Sequence, residues 1–190
     1  MRVFIAIPLP EEIRARIADF QRRWQTDLPP SAIRWTPTEQ IHLTLRFLGN
    51  VASDAVGALE GSLRRGCADV ASFELCAAGS GCFPDARKPR VVWVGVGGEL
   101  DALGRLHRRV LQETVAWGEV EARQFQAHLT IGRVKPVPPA VLRELARRVR
   151  PPMDGELGRW RVGEVWLLRS VLLPAGAEHT VLARCALGGG

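Results

Sequence analysis

The chain has 190 residues, of which 46% are hydrophobic and 24% charged, and its mean hydropathy is -0.01. These values are typical of a globular protein and exclude a disordered, collagen-like or coiled-coil chain. The net charge of +6 rests on arginine, since lysine occurs only at Lys88 and Lys135. Guanidinium groups suit phosphate, but codon usage or thermal adaptation would produce the same arginine excess, so the charge is only compatible with nucleic acid.

No stretch of about 18 apolar residues occurs, and the apolar run at the N-terminus is too short for a signal peptide. The four cysteines form neither a C-x-x-C pair nor a disulfide scaffold. We therefore expect a soluble, cytoplasmic protein without a membrane segment.

Hydrophobic periodicity and turn residues divide the chain into short strands and amphipathic helices. In chain order the pattern predicts a strand over 3–7, a helix over 11–24, strands over 33–35 and 41–48, a helix over 53–66, strands over 73–78 and 90–96, a helix over 100–117, a strand over 127–134, a helix over 138–149, and strands over 162–173 and 180–187. The order lacks the regular rhythm of a doubly wound sheet, and no glycine-rich phosphate loop is present. The sequence predicts an α+β fold with antiparallel sheets, as one unit over residues 1–190.

Two of the four histidines begin nearly identical tetrapeptides, His42-Leu43-Thr44-Leu45 and His128-Leu129-Thr130-Ile131. By chance, two of four histidines would share this pattern in roughly one sequence in a hundred. Both copies lie in predicted strands, where residues two apart point to the same face. Each motif therefore buries its aliphatic residues and presents its histidine and threonine together on the other face.

This arrangement suits chemistry at phosphorus. An imidazole exchanges protons near neutral pH, so one on each side of a phosphorus serves both halves of an in-line displacement. The hydroxyls of Thr44 and Thr130 can donate to the non-bridging oxygens and stabilise the transition state. A metal pair is disfavoured, because no further ligand cluster accompanies either motif and threonine is a poor ligand. We expect neither a metal nor a cofactor.

The motifs and their surroundings resemble the two-histidine (2H) phosphoesterase superfamily, and within it the bacterial and archaeal RNA 2′,3′-cyclic phosphodiesterases, once called 2′-5′ RNA ligases. The resemblance implies two pseudo-symmetric α+β lobes with antiparallel sheets around a central cleft, each lobe supplying one H-x-T strand. Ala127 and His179 depart from the family pattern, which usually has a proline and an aromatic residue at these places. The matching stretches are 2–7, 33–35, 41–49, 83–84, 87–93, 123–133 and 180–184.

The same resemblance implies metal-independent hydrolysis of a 2′,3′-cyclic phosphate at an RNA end to a 2′-phosphomonoester. Carried over, His42 is the proton donor to the leaving 3′-oxygen, and His128 is the proton acceptor that activates water. The symmetry of the two motifs alone allows either assignment. The expected partner is RNA with such an end, tRNA fragments being candidates, and the protein is expected to be a monomer.

Four further residues are candidate contacts for phosphate or a base. Arg46 shares strand parity with the first histidine, which predicts that it faces the cleft; a solvated charge at the strand end is the alternative. Arg133 follows the second histidine by five residues, and Gly132 permits a bulge that would turn it to the cleft. The resemblance implies a phosphate contact there. Trp35 and Phe125 are candidates for stacking on a base, with core packing as the alternative.

Two other functions remain open at this point. The same fold would also suit hydrolysis of small cyclic nucleotides or of 2′-5′-linked oligonucleotides. A non-catalytic RNA-binding module would use the histidines only to contact phosphate, and it would show salt-dependent binding without turnover.

Overall fold

The computed structural model describes residues 1–118, 124–149, 155–173 and 176–188; residue 123, which begins one matched stretch, lies outside them. Short 3-10 turns occupy Thr38–Gln40 and Ser53–Ala55. The described residues form four α-helices, α1 (Glu11–Asp27), α2 (Val56–Ala68), α3 (Leu100–Glu113) and α4 (Pro139–Val149). The nine strands of the described residues are β1 (Arg2–Pro8), β2 (Ile33–Trp35), β3 (His42–Asn50), β4 (Phe73–Phe83), β5 (Val91–Gly98), β6 (His128–Val134), β7 (Glu156–Val162), β8 (Glu164–Leu173) and β9 (Gly176–Ala186).

These strands form one continuous sheet in the order β7-β4-β5-β6-β3-β1-β8-β9, with β2 beside β6. All pairs are antiparallel. The half that runs outward from β6 corresponds to the half that runs outward from β3, and the two halves meet at the pair Leu43–Leu129. Both leucines are fully buried. The predicted α+β class with two pseudo-symmetric antiparallel halves is confirmed, and the two sheets are joined into one.

The helices lie against the face of the sheet that carries the aliphatic residues of the strands. Helix α2 packs on α3, β8 and β9, while α1 contacts β7 and α4 contacts β4. Helix α1 packs on the sheet through an apolar face. The apolar residues of this face recur every third or fourth position and are buried, namely Ile13, Ile17, Phe20 and Trp24. Within the described residues, no helix is long and apolar enough to cross a bilayer.

Two strand predictions are wrong, and glycine-containing bulges explain both. The strand predicted over 162–173 corresponds to β8 and the last residue of β7, with Gly163 between them, and the rest of β7 is missing from the prediction. In β7 a register shift at Leu157 breaks the alternation of buried and exposed residues, which hides this strand from a search for period two. Strand β4 runs on to Phe83 through a bulge in which Gly79 has a φ of 72°, a conformation that favours glycine.

Candidate active site

The two H-x-T motifs lie on the central strands β3 and β6. In both, histidine and threonine are partly exposed, whereas the aliphatic residues between and after them are buried. Antiparallel register about Leu43–Leu129 sets position 42 opposite 130 and position 44 opposite 128. The two histidines therefore occupy diagonal corners of a square that the two threonines complete. Diagonal positions across neighbouring strands are about 7–8 Å apart, which leaves room for a phosphoryl group.

These four side chains line a cleft of about 540 Å³. Its other lining residues divide by chemistry into a basic part and an apolar part. The apolar part includes Phe47 and Leu172, which are 55% and 65% exposed. The charged residues among the described lining residues, apart from the histidines, are Arg2, Arg34, Arg133 and Glu178. The cleft therefore carries an excess of positive charge, and it suits an anion.

Both motif histidines are oriented by the same local hydrogen bond. Nδ1 of His42 lies 2.7 Å from the carbonyl oxygen of Gln40, and Nδ1 of His128 lies 2.7 Å from that of Gln126. Because a carbonyl oxygen only accepts, Nδ1 of each ring carries the hydrogen and donates it. Nε2 is left as the atom of each ring that gains or loses a proton.

His42 is the more enclosed of the two imidazoles. Its ring centroid lies 4.8 Å from that of Phe4 and 5.3 Å from that of His179. The pKa of His42 is lowered to about 4, chiefly by burial; the hydrogen bond to Gln40 opposes this shift, and positive charge on His179 and His128 adds to it. The imidazole of His42 is therefore neutral at pH 7 in the protein alone.

A β-bulge follows each motif at the same place. Leu45 in β3 and Ile131 in β6 are each one extra residue in the register with the neighbouring strand. A bulge reverses strand parity, so the next residue turns to the core and the one after it turns to the cleft. Phe47 and Arg133 accordingly line the cleft at corresponding positions.

The prediction that Arg46 faces the cleft and binds phosphate is wrong. The bulge turns its side chain into the core, where the residue is only 3% exposed. Its guanidinium donates to Thr114 Oγ1 at 2.6 Å and to the carbonyl oxygens of Leu111 and Trp117 at 3.3 and 2.9 Å. A cation at the last carbonyl groups stabilises a helix end. Helix α3 therefore ends at Glu113, whereas the periodicity of the sequence predicts an end at residue 117.

The structure places Arg133 in the cleft, as the possible bulge at Gly132 predicts. The residue is exposed and pairs across strands with Arg34 of β2, which also lines the cleft. Two guanidinium groups on neighbouring strands repel each other unless an anion lies between them. The pair Arg34–Arg133 is therefore the basic edge of the cleft, and Arg34 is a residue that the sequence patterns do not single out.

The two aromatic candidates have different outcomes. Trp35 lies at the cleft, but it also packs edge-on against Trp24 of α1, with ring centroids 6.5 Å apart. The prediction that Phe125 contacts substrate is wrong, because its ring stacks on His107 of α3 at 4.0 Å and does not line the cleft. The alternative of core packing is correct for Phe125.

Gln21 is a further residue of the site that the sequence analysis missed. This buried side chain of α1 donates from Nε2 to the carbonyl oxygens of Ile131 and Thr36, both at 2.9 Å. It therefore holds the bulge of β6, and His107 of α3 makes the corresponding hydrogen bond to the backbone of Leu45. The sequence feature that could have identified Gln21 is its position as a glutamine on the apolar face of a predicted helix.

Residues 1–118, 124–149, 155–173 and 176–188 include no group of three or more His, Cys, Asp or Glu side chains that could hold a metal ion. The metal-independent site stays a prediction.

Comparison with known proteins places the chain in a family. Residues 9–172 match the family described as the 2′-5′ RNA ligase superfamily. A protein of Methanothermobacter thermautotrophicus named RNA 2′,3′-cyclic phosphodiesterase is 33% identical over 180 residues, covering 95% of both chains. A protein of the same name from Thermotoga maritima is 30% identical over 190 residues, covering 100% of this chain and 97% of its own.

Solved structures agree with this assignment. The protein TT0787 of Thermus thermophilus is 31% identical with a TM-score of 0.78, covering 100% of this chain and 99% of its own. Escherichia coli LigT complexed with 3′-AMP is 28% identical with a TM-score of 0.75, covering 98% and 97%. The curled antiparallel sheet with one H-x-T motif on each central strand is the architecture of the two-histidine phosphoesterases. The chain belongs to the 2′-5′ RNA ligase superfamily, as the sequence motifs predict.

The first test concerns Arg46. We expect Arg46→Met to lower the free energy of unfolding by roughly 2–4 kcal/mol, because Thr114 and the helix carbonyl groups lose their buried donor. Urea unfolding followed by circular dichroism measures this loss. Arg133→Met is the matched control on the corresponding strand, and its exposed side chain predicts a change within about 0.5 kcal/mol. Wild-type stability in Arg46→Met would contradict the assignment of Arg46 to the core.

The second test concerns the protonation of His42. In the protein alone, its Hε1 resonance should titrate with a midpoint near pH 4. Inorganic phosphate in the cleft should raise the pKa of His42 by about 1 to 3, because a nearby anion favours the charged imidazole. Proton NMR measures both values, with His42→Gln identifying the resonance. A midpoint that phosphate does not move would contradict a proton-donor role for His42.

Proposed function

We propose that this protein hydrolyses the 2′,3′-cyclic phosphate at an RNA end to a 2′-phosphomonoester, using its paired histidines and no metal ion. The observation that carries the proposal is the square of two imidazoles and two hydroxyls on neighbouring strands, with both rings oriented by matched hydrogen bonds. Relatives named RNA 2′,3′-cyclic phosphodiesterase, aligned over nearly the whole chain, support this enzyme class.

The diagonal arrangement suits an in-line displacement. Water attacks phosphorus opposite the 3′-oxygen, and Nε2 of His128 accepts a proton from that water as the new oxygen–phosphorus bond forms. The bond from phosphorus to the 3′-oxygen breaks, and Nε2 of His42 donates a proton to the leaving oxygen. The hydroxyls of Thr44 and Thr130 donate to the non-bridging oxygens, where negative charge increases. The product has a 2′-phosphate and a 3′-hydroxyl group, and the two histidines exchange their protons with solvent before the next turnover.

The low pKa of His42 links proton donation to substrate binding. A proton donor must carry its proton when the substrate is in place, yet burial keeps the imidazole neutral in the protein alone. The cyclic phosphate carries one negative charge, which raises the pKa of an adjacent imidazole. The substrate's own charge therefore converts His42 to the protonated form that the reaction needs.

Two features of the cleft favour an RNA strand over a small cyclic nucleotide. The pair Arg34–Arg133 lies at the cleft edge, five positions along β6 from the motif histidine, and it suits a second backbone phosphate. The exposed ring of Phe47 on the apolar part offers a surface for stacking a base. That tRNA fragments are the substrates, and that the protein is a cytoplasmic monomer of one bilobal domain, stay predictions.

The activity is tested with a short RNA that ends in a 2′,3′-cyclic phosphate, incubated with EDTA, and with the product end mapped. We expect a 2′-phosphate product. His42→Ala and His128→Ala should each lower kcat/KM at least about 100-fold, because each removes a proton-transfer group. Arg22→Ala, on the exposed face of α1, should retain activity.

Other results would point to the alternatives. An intact RNA together with turnover of a cyclic mononucleotide or a 2′-5′-linked oligonucleotide would overturn RNA-end hydrolysis in favour of those substrates. Salt-dependent binding without any turnover would identify an RNA-binding module.

The basic edge is tested through salt dependence. Arg34→Ala and Arg133→Ala should each weaken binding of a single-stranded oligonucleotide and lower the slope of log affinity against log salt by about 0.7–1, because each loses one phosphate contact. Turnover of a cyclic mononucleotide should change little. Arg22→Ala, on the exposed face of α1, is the control. Equal effects on the oligonucleotide and the mononucleotide would show that both arginines act at the cyclic phosphate itself.

A further inference from the structure

The two H-x-T motifs are similar in sequence, but different rings contact their histidines. His128 contacts Phe83 edge-on at 4.9 Å and Trp93 at 6.4 Å, neither of which titrates. His42 instead contacts Phe4 and the imidazole of His179. The pseudo-symmetric site is therefore electrically asymmetric, because a titratable ring lies beside only one of its two motif histidines.

His179 is placed in the cleft by the strand register. Arg2, Ser170 and His179 are cross-strand partners in a row over β1, β8 and β9, so they share the cleft face of the sheet. The rings of His42, Phe4 and His179 are all in mutual contact, since Phe4 and His179 are 4.9 Å apart. His179 also lines the cleft, so its nitrogen atoms can exchange protons with solvent.

An imidazolium at this distance affects the proton on its neighbour. Two positive charges at the 5.3 Å that separates these ring centroids repel each other even at the dielectric constant of water, and more strongly in a partly buried site. His179 is less enclosed than His42, so burial lowers its pKa less. As pH falls, His179 therefore gains its proton before His42 does.

Other charged groups reach the same cleft from neighbouring elements. They are Arg2 on β1, Glu178 on β9, His128 and Arg133 on β6, and Arg34 on β2. His42 differs from all of these because its ring is in direct contact with that of His179. The strongest coupling of His179 is therefore expected with His42.

We propose that His179 is a positioning residue for the proton on His42, competing with it for the proton that the anionic substrate draws into the cleft and thereby setting the upper pH limit of the reaction. The inference rests on the proposed role of His42 as proton donor. Removal of the competing ring lets His42 hold its proton to higher pH. The alkaline limb of kcat, which reports loss of that proton in the substrate complex, should then move to higher pH.

The test uses His179→Phe, which keeps an aromatic ring against Phe4, and His179→Gln, which keeps a polar side chain. In both variants the pKa of His42, measured by proton NMR without ligand and with inorganic phosphate, should rise by about half to one pH unit. The pKa that defines the alkaline limb of kcat on the cyclic-phosphate RNA should rise by a similar amount. Arg22→Ala, on the exposed face of α1, should change neither.

The outcomes separate this inference from the proposed function. An unchanged pKa of His42 in both variants would overturn the inference, whatever the activity. A raised pKa with an unmoved alkaline limb would also overturn it, because His42 would then not be the group that sets that limb. A raised pKa in a protein that does not cleave RNA would support the coupling of the two rings and overturn the proposed function.

Discussion

The whole site depends on one cross-strand contact, the antiparallel pair of Leu43 and Leu129 where the two halves of the sheet meet. Both side chains are fully buried, so hydrophobic burial against the helices sets the register of the central strands. A slip of one residue in either central strand would turn that strand's motif to the core. The same burial that stabilises the fold therefore brings two histidines and two threonines, 86 positions apart in the chain, onto one face.

The two bulges determine which residues face the cleft beyond the motifs. Each begins three residues after its histidine, and its backbone is held by a polar side chain from a helix, Gln21 for β6 and His107 for β3. Because a bulge reverses parity, the residue after it turns to the core in both strands, and the residue after that turns to the cleft. Gly132 packs closely against Ile33, with no space for a larger side chain. Arg46 at the matching place ends helix α3 from within the core.

The electrostatics of the cleft depend on the positions at which its two halves differ. Positive groups at the rim attract an anion, while burial keeps His42 neutral until that anion is present. In the proposed mechanism, this coupling links substrate binding to the protonation of His42. Phe47 and Arg133, at equivalent positions after the bulges, then make one part of the cleft suited to a base and another suited to phosphate.

Much of the local structure of this protein can be predicted from its sequence, because local spacing determines local geometry. Alternation in the repeated motifs predicts which face carries His42, Thr44, His128 and Thr130. Apolar residues that recur every third or fourth position predict helix α1. The cleft-facing position of Arg133 is predicted because the adjacent glycine permits a bulge, and its contact with phosphate stays a prediction. These are properties of a few neighbouring residues, so no knowledge of distant parts of the chain is needed.

Only the tertiary structure decides the rest, because it depends on residues far apart in the chain. Arg46 looks like a cleft residue until the register with β1 reveals the bulge at Leu45, and the helix carbonyl groups it binds lie more than 60 positions away. Phe125 leaves the cleft because His107 offers a stacking partner. His179 comes to lie beside His42 only through the order of strands β3, β1, β8 and β9 in the sheet, which no local pattern specifies.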